Sequence, residues 1–221
     1  MTLGRDSLSS RIAHELLAIG AVSLSPDDPY TWASGLKSPV YCDNRLIMGY
    51  PGLRLLVTSA FADIMGEKQI ACDVIAGTAT AGIPHAAWLA HHLDLPMVYV
   101  RGAVKSHGKG KQVEGVLFPG QRVVVVEDLI STGMSSTAVV APLEAAGAVV
   151  SAILAIFTYG LKRADEAFKS IEIPLYTLTS FQDLIEAAAQ SERVSESGLA
   201  SLESWHADPE AWSDQFTDFT G

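Results

Sequence analysis

The chain has few cysteines, no long apolar run and no broad basic stretch, and each shortage excludes a class of protein. Only Cys42 and Cys72 occur among 221 residues, which is too few for a disulfide framework and gives no metal-ligand spacing. The most apolar run, residues 145–157, is too short and too interrupted to span a membrane. We therefore expect a cytoplasmic protein with two reduced thiols, no metal-ligand cluster of its own and no membrane partner.

The distribution of charge argues against nucleic acid as the main partner. The formal net charge is −10, and residues 190–221 hold seven acidic residues against one basic residue, Arg193. Six of the ten excess charges therefore lie in this C-terminal stretch, and no basic stripe is available for a phosphate backbone. One segment is an exception, because residues 101–111 contain no acid and four basic side chains: Arg101, Lys105, Lys109 and Lys111.

From residue 51 onward, short β-branched runs alternate with stretches of helical periodicity. The strand-like runs are residues 73–76, 97–100, 123–126, 152–157 and 175–178, and the helical stretches are residues 51–64, 84–93, 137–147 and 181–189. Such alternation predicts right-handed βαβ crossovers and a parallel sheet covered by helices on both faces. The fold class is therefore α/β.

Composition divides the chain into three expected segments. Residues 1–50 hold an amphipathic helix, from Ser7 to Ile19, and a hood of irregular structure, while residues 51–189 form the α/β core. Residues 190–221 are an acidic extension that keeps four aromatic side chains: Trp205, Trp212, Phe216 and Phe219. A disordered tail rarely keeps two tryptophans. Packing of this extension on the body or on a partner subunit, and disorder, both stay open.

The stretch from Val123 to Ser136 indicates where a ligand binds. Four consecutive valines predict a buried central strand, and Glu127 and Asp128 follow before a run of small and hydroxylated residues. In open α/β sheets ligands bind beyond the carboxyl ends of strands. Carboxylates accept hydrogen bonds from ribose hydroxyls, and a helix beginning near Ser135 presents N–H groups to a phosphate. The pattern favours a phosphorylated ribose over an ordinary charged strand end.

This stretch resembles the 5-phosphoribosyl 1-diphosphate (PRPP) signature of the type I phosphoribosyltransferases. Two other segments, residues 34–45 and 99–110, resemble the members of that family that act on orotate. The resemblance extends from about Ser7 to about Ala189. It implies a parallel sheet flanked by helices with a small N-terminal hood. It also implies transfer of the phosphoribosyl group from PRPP to orotate, which gives orotidine 5′-monophosphate and pyrophosphate in pyrimidine synthesis.

The same resemblance assigns the residues that bind PRPP. They are Arg101, Lys105, His107, Glu127, Asp128, Leu129, Ile130, Ser131, Thr132, Gly133, Met134 and Ser135. The family often has a second glycine where this chain has Met134, so we expect a stiffer phosphate loop. A second loop joins a strand to a helix with nothing larger than threonine, and it suits a diphosphate, although a tight structural turn gives the same pattern. Its residues are Thr78, Ala79, Thr80, Ala81 and Gly82.

Residues 102–115 form a glycine-rich basic loop. A surface loop is the simple interpretation, but mobile loops of this kind also close over reactions and deliver charge. By resemblance, Lys105 and His107 act with Mg²⁺ on the departing pyrophosphate, and Asp128 is the third catalytic residue. His107 lies between lysines, which disfavours its protonated form, so a role as proton donor stays open. The family also implies a homodimer in which this loop reaches the neighbouring subunit's site.

The base-side residues are expected in the segment from Ser34 to Arg45. By resemblance, Ser34, Tyr41, Arg45 and Ser131 contact orotate, with Tyr41 stacking on the pyrimidine unless it is simply a core residue. The orotate carboxylate requires a cation, for which Arg45 and Lys37 are the candidates, or a nest of backbone N–H groups. Ala33 stands where some members have a lysine, which leaves the choice of cation open. Two alternatives remain: a phosphoribosyltransferase for another nucleobase, and a PRPP-binding regulator without catalysis.

Overall fold

The structure, a computed structural model, describes residues 5–32, 34–102 and 112–216. Two compact units make up the chain. The central unit is Ile47–Leu178, and the terminal unit combines Met1–Leu46 with Thr179–Gly221. The three expected segments stay a prediction, but the acidic extension shares a unit with the N-terminal segment. Within the described ranges, no helix combines the length and the apolar character needed to cross a membrane.

Helices and strands follow one another along the whole described chain, with a 3₁₀ helix at Asn44–Gly49. In chain order the others are α1 (Arg5–Ala18), β1 (Val22–Leu24), β2 (Tyr30–Thr31), β3 (Lys37–Ser38), β4 (Val40–Cys42), α2 (Pro51–Glu67), β5 (Val74–Thr78), α3 (Gly82–Leu93), β6 (Met97–Val100), β7 (Val113–Glu114), β8 (Arg122–Ile130), α4 (Met134–Ala138), α5 (Val140–Ala145), β9 (Val149–Thr158), α6 (Lys162–Lys169), β10 (Leu175–Ser180), α7 (Phe181–Gln190), α8 (Glu196–Ala207) and α9 (Pro209–Asp214).

A six-stranded sheet in the order β10-β9-β8-β5-β6-β7 confirms the expected α/β fold. Strands β5, β6, β8 and β9 pair in parallel, and β7 is an antiparallel edge strand on β6. The register places Val74 beside Val123 and Ala76 beside Val125. These side chains form one buried cluster with α5 and α6. The valine run is buried on both faces, as its β-branched composition predicts.

Strand β8 continues four residues beyond the predicted end at Val126. Glu127 and Asp128 therefore lie within the strand and not after it, which corrects the expected position of the acid pair. Pairing with β9 holds this extension, because Leu129 and Ile130 are in register with Phe157 and Thr158. The end of β8 is therefore set by its pairing with β9, which the local sequence pattern does not show.

Two glycines allow α3 to approach the sheet closely. A Cβ added to Gly82 would lie 2.4 Å from the carbonyl oxygen of Val126, which no real side chain tolerates. A Cβ on Gly77 would lie 2.9 Å from the Cα of Ile83. The first turn of α3 is therefore pressed against β5 and β8, beside the loop at residues 78–82.

The terminal unit joins both ends of the chain. Helix α1 packs on α7, whose first turn has a reciprocal cap in which the Asp183 N–H donates to Ser180 and the Ser180 N–H donates to Asp183. Two short two-stranded antiparallel sheets, β1 with β4 and the β2–β3 hairpin, complete the unit. Trp205 of α8 is fully buried and Trp212 of α9 nearly so, so the described part of the extension is packed.

Candidate active site

A cavity of about 280 Å³ opens at the carboxyl ends of β5 and β8 in the central unit. Three segments that are separate in the sequence line it: residues 78–81, residues 127–129 and residues 131–136. The lining residues are Thr78, Ala79, Thr80, Ala81, Glu127, Asp128, Leu129, Ser131, Thr132, Gly133, Met134, Ser135 and Ser136. The predicted diphosphate loop, ribose acids and phosphate loop therefore face one space.

The two carboxylates at the end of β8 differ in their surroundings. Glu127 is 5% exposed, and its carboxylate accepts hydrogen bonds from the Asp128 N–H at 3.1 Å and from the Ser136 hydroxyl at 3.2 Å. Asp128 is only partly buried. Burial, followed by the negative charge of Asp128, raises the pKa of Glu127. The pair therefore combines a partly exposed carboxyl at Asp128 with a buried one at Glu127 that holds a proton more readily than an ordinary glutamate.

The phosphate loop turns between β8 and α4. Gly133 adopts a left-handed conformation with φ of +78°, and a Cβ there would lie 3.1 Å from the Phe168 ring of α6. The Thr137 N–H and hydroxyl both donate to the Gly133 carbonyl oxygen, at 2.9 and 3.0 Å. Glycine thus lets the loop reverse direction at the first turn of α4. Met134, the departure from the family pattern, is 71% exposed.

The second loop leaves the end of β5. The Ala79 N–H donates to the Val100 carbonyl oxygen at 2.9 Å, and the Ala79–Thr80 peptide bond is cis. Thr78 to Ala81 line the cavity, whereas Gly82 lies against β8 and serves the close approach of α3. Ile130, which the sequence analysis grouped with the PRPP residues, is fully buried in the core and does not line the cavity.

The basic loop is described only at its two ends. The Arg101 guanidinium lies 3.4 Å from the Glu114 carboxylate, and the Arg101 N–H donates to the Gln112 carbonyl oxygen at 2.9 Å. These contacts join residues 101–102 to residues 112–114. Lys105 and His107 lie outside the described residues.

The predicted base-side residues lie in the terminal unit, except Ser131. Tyr41 is 45% exposed, so it is not a core residue, and its ring centroid is 5.5 Å from that of Tyr30. Ser34 is exposed in the turn between β2 and β3. Arg45 donates to both oxygens of Asp43, at 2.6 and 2.9 Å, and this pairing lowers the pKa of Asp43.

Lys37 has a different partner. Its ammonium group donates at 2.9 Å to the hydroxyl of Thr31, a partner that carries no negative charge. Arg45 already holds a carboxylate in two hydrogen bonds. Of the two cations considered for the orotate carboxylate, Lys37 is therefore the better supported.

Comparison with known proteins assigns the family. The phosphoribosyl transferase domain family matches residues 51–190. Orotate phosphoribosyltransferase from Bacillus caldolyticus is 56% identical over 201 residues, which covers 91% of this chain and 97% of the relative. The chain belongs to the orotate phosphoribosyltransferase family. The Listeria innocua orotate phosphoribosyltransferase is 52% identical and covers 93% of this chain and 99% of its own length.

Solved structures agree with this orotate phosphoribosyltransferase assignment. The crystal structure of orotate phosphoribosyltransferase from Aeropyrum pernix matches with a TM-score of 0.72 at 30% identity, covering 81% of this chain and 98% of that one. Leishmania donovani UMP synthase matches with a TM-score of 0.77 at 23% identity over 91% of this chain and 43% of that one. The second likeness concerns the fold alone.

Ser136 is a site residue that the sequence pattern did not indicate. The predicted phosphate loop ended at Ser135, but Ser136 also lines the cavity, is 1% exposed and donates to Glu127. A hydroxyl in the first turn of the helix was the available signal. Whether that hydroxyl points toward Glu127 depends on how α4 packs against β8, which cannot be read from the sequence.

Proposed function

We propose that this chain transfers the 5-phosphoribosyl group of PRPP to orotate, giving orotidine 5′-monophosphate and pyrophosphate. One observation carries the proposal. The acid pair, the phosphate loop and the diphosphate loop line a single cavity in a chain of the orotate phosphoribosyltransferase family. This activity belongs to pyrimidine biosynthesis.

Different residues of the cavity bind the ribose, the 5-phosphate and the diphosphate of PRPP. Asp128, which is partly exposed, accepts hydrogen bonds from the ribose hydroxyls. The buried Glu127 carboxylate accepts the backbone N–H of Asp128 and so helps to hold it in place. Residues 131–135 bind the 5-phosphate through backbone N–H groups, because the left-handed Gly133 turns the loop and the side chains other than Met134 are small. Thr78 to Ala81 face the diphosphate.

The reaction requires alignment and charge compensation more than a strong base. The ring N1–H of orotate is acidic, so the protein does not need a strong base to take the proton that leaves N1 as N1 bonds to ribose C1. As the bond from ribose C1 to the diphosphate breaks, the sugar becomes cationic and charge develops on the leaving group. Arg101, Lys105 and His107 compensate that negative charge. The family resemblance assigns the base to Ser34, Tyr41, Arg45 and Ser131.

A magnesium ion fits this donor set as a companion of the substrate. The described residues contain no group of three His, Cys, Asp or Glu side chains able to hold a metal. Magnesium in phosphate enzymes is commonly bound by one or two carboxylates together with substrate phosphates, and Asp128, the partly exposed member of the acid pair, would provide such a carboxylate. When bound, the ion neutralises part of the diphosphate charge.

A homodimer is part of the same proposal. In it, the loop at residues 102–115 of each subunit serves the site of the other, as the family resemblance implies. A cytoplasmic location agrees with Cys42 and Cys72, which are both free thiols and not joined in a disulfide.

The decisive experiment is the fall in orotate absorbance on mixing the protein with PRPP, Mg²⁺ and orotate. PRPP-dependent loss, absent without PRPP, is the expected result. Retained PRPP binding by calorimetry with no loss of orotate would contradict the proposed base. Loss with uracil or a purine instead would reassign it.

A further inference from the structure

Helices α8 and α9 of the acidic extension pack on the segment before Arg45 that carries the predicted base-side residues. At the start of α8, a Cβ added to Gly198 would lie 3.1 Å from the Pro26 ring, which precedes β2. Near the end of α8, the Trp205 ring meets Trp32 edge to face, with centroids 5.7 Å apart. Helix α9 packs on β3. All of these contacts lie within the terminal unit.

The last of these contacts is a hydrogen bond to the residue we favour for the orotate carboxylate. Ser213 in α9 is 2% exposed, and its hydroxyl oxygen accepts the backbone N–H of Lys37 at 2.9 Å. Lys37 pairs with Thr31 across the hairpin of β2 and β3. Its N–H thus points away from the partner strand and into the extension.

Helix α9 is itself firmly placed. The Asp208 carboxylate accepts the Ala211 N–H at 3.0 Å and caps the helix, and the Trp212 indole donates to the Ser201 hydroxyl of α8 at 3.1 Å. Trp212 is 3% exposed. The Ser213 hydroxyl oxygen is therefore held in place by a well-packed helix and accepts a hydrogen bond from the β2–β3 hairpin. A two-stranded hairpin of this size has little stability alone.

We propose that α8 and α9 form a support that positions the β2–β3 hairpin for the nucleobase, and that Ser213 is the positioning residue for Lys37. This inference rests on the proposed function, because the hairpin matters for catalysis only if it holds the base. Ser213 does not touch the substrate in this scheme. Its loss leaves the Lys37 N–H without its acceptor and lets the hairpin, with Ser34 at its turn, shift.

The test compares Ser213→Ala with the conservative variant Ser213→Thr and the control Ser191→Ala. Ser191 is in the same unit, but its hydroxyl donates to the Ala187 carbonyl oxygen of α7. We expect Ser213→Ala to raise the KM for orotate by about tenfold, the loss expected for one unsatisfied hydrogen-bonding group, with the KM for PRPP changed less than about twofold. Ser213→Thr should restore most of the orotate KM.

Amide hydrogen exchange separates this inference from the activity itself. Exchange of the Lys37 amide should quicken in Ser213→Ala but not in Ser191→Ala, whichever nucleobase the wild-type enzyme uses. If wild-type protein fails to consume orotate, the proposed function is wrong. If wild-type protein is active but Ser213→Ala leaves the orotate KM unchanged, or raises both KM values together, the positioning role is overturned.

Discussion

The hydroxyl of Ser136 donates a hydrogen bond to the carboxylate of Glu127 over 3.2 Å, and this contact joins the first turn of α4 to the end of β8. Both side chains are nearly inaccessible to solvent. The phosphate loop and the ribose acids are thereby connected behind the cavity. We therefore expect a substitution of either residue to alter the position of the other.

Replacing Ser136 with alanine should weaken PRPP binding without abolishing turnover. The substitution removes one hydrogen bond to a carboxylate, so we expect the KM for PRPP to rise by about three- to tenfold. Steady-state kinetics with varied PRPP measures the effect. Ser170→Ala is the control, because the Ser170 hydroxyl donates to the Ala167 carbonyl oxygen in α6. An unaltered KM in Ser136→Ala would show that the contact has no role in PRPP binding.

Replacing Glu127 with glutamine should stabilise the protein at neutral and alkaline pH while reducing activity. Because burial and Asp128 raise the pKa of Glu127 above its ordinary value of 4.5, the folded state binds more protons than the unfolded state above that pH. Wild-type stability therefore falls as pH rises toward the raised pKa. Glutamine does not ionise, so its free energy of unfolding should exceed that of wild type by about 1 kcal/mol at pH 8.

Urea unfolding at pH 5 and pH 8 checks this expectation. Glu144→Gln, at an exposed carboxyl on α5, is the matched control, with a stability change within about 0.5 kcal/mol. A Glu127→Gln protein as sensitive to alkaline pH as wild type would refute the assignment.

Asp128→Asn and Lys105→Ala should separate binding from catalysis. Asp128→Asn removes a charged acceptor for the ribose hydroxyls, so the Kd for PRPP should rise by about tenfold or more. Lys105→Ala should leave that Kd within a few-fold and lower kcat sharply, because the lysine compensates charge that develops on the leaving group. Calorimetry and single-turnover kinetics measure the two. The reverse pattern would exchange the assigned roles.

Mixing the two variants tests the shared loop. If each loop serves the partner's site, a mixed dimer of Lys105→Ala and Asp128→Asn contains one fully wild-type site. Equal amounts should then recover about a quarter of wild-type activity once subunits exchange. Activity equal to the mean of the two separate variants would instead place each loop in its own subunit's site.

Replacing Gly82 with alanine should destabilise the central unit by several kcal/mol. The new Cβ would meet the Val126 carbonyl oxygen at 2.4 Å, and backbone does not move aside cheaply. The control Gly52→Ala lies in α2, where the added Cβ has no neighbour within 4 Å, and alanine there should be neutral or stabilising by up to about 1 kcal/mol. Thermal unfolding compares them. Equal melting temperatures would show that α3 can retreat from the sheet.

Much of the central unit is predictable because its signals are local. The valine run gave the buried strand, and the small residues after it gave the phosphate loop. Helix α6 was not predicted, because its apolar stripe of Ala164, Ala167 and Phe168 is only about one turn long within an otherwise charged segment of eight residues. The predicted single helix after Ser135 divides into α4 and α5 at Val139.

The terminal unit was the less predictable half. Its strands are two or three residues long, too short for an alternating pattern, and they pair across intervening segments. Tyr41 and Arg45 were named from resemblance, but the engagement of Arg45 with Asp43 became visible only in three dimensions. The two tryptophans of the extension suggested packing, whereas their partners depend on residues far away in the chain.

The division into units also has a consequence for how the chain is made. The central unit is a continuous stretch, Ile47–Leu178, but the terminal unit needs residues from both ends. Helix α1 lacks α7 until residues 181–190 have been synthesised, and the β2–β3 hairpin lacks α9 until residues 209–214 have been. The segment before Ile47 therefore leaves the ribosome ahead of the central unit, but it reaches its final structure only after the central unit has been synthesised.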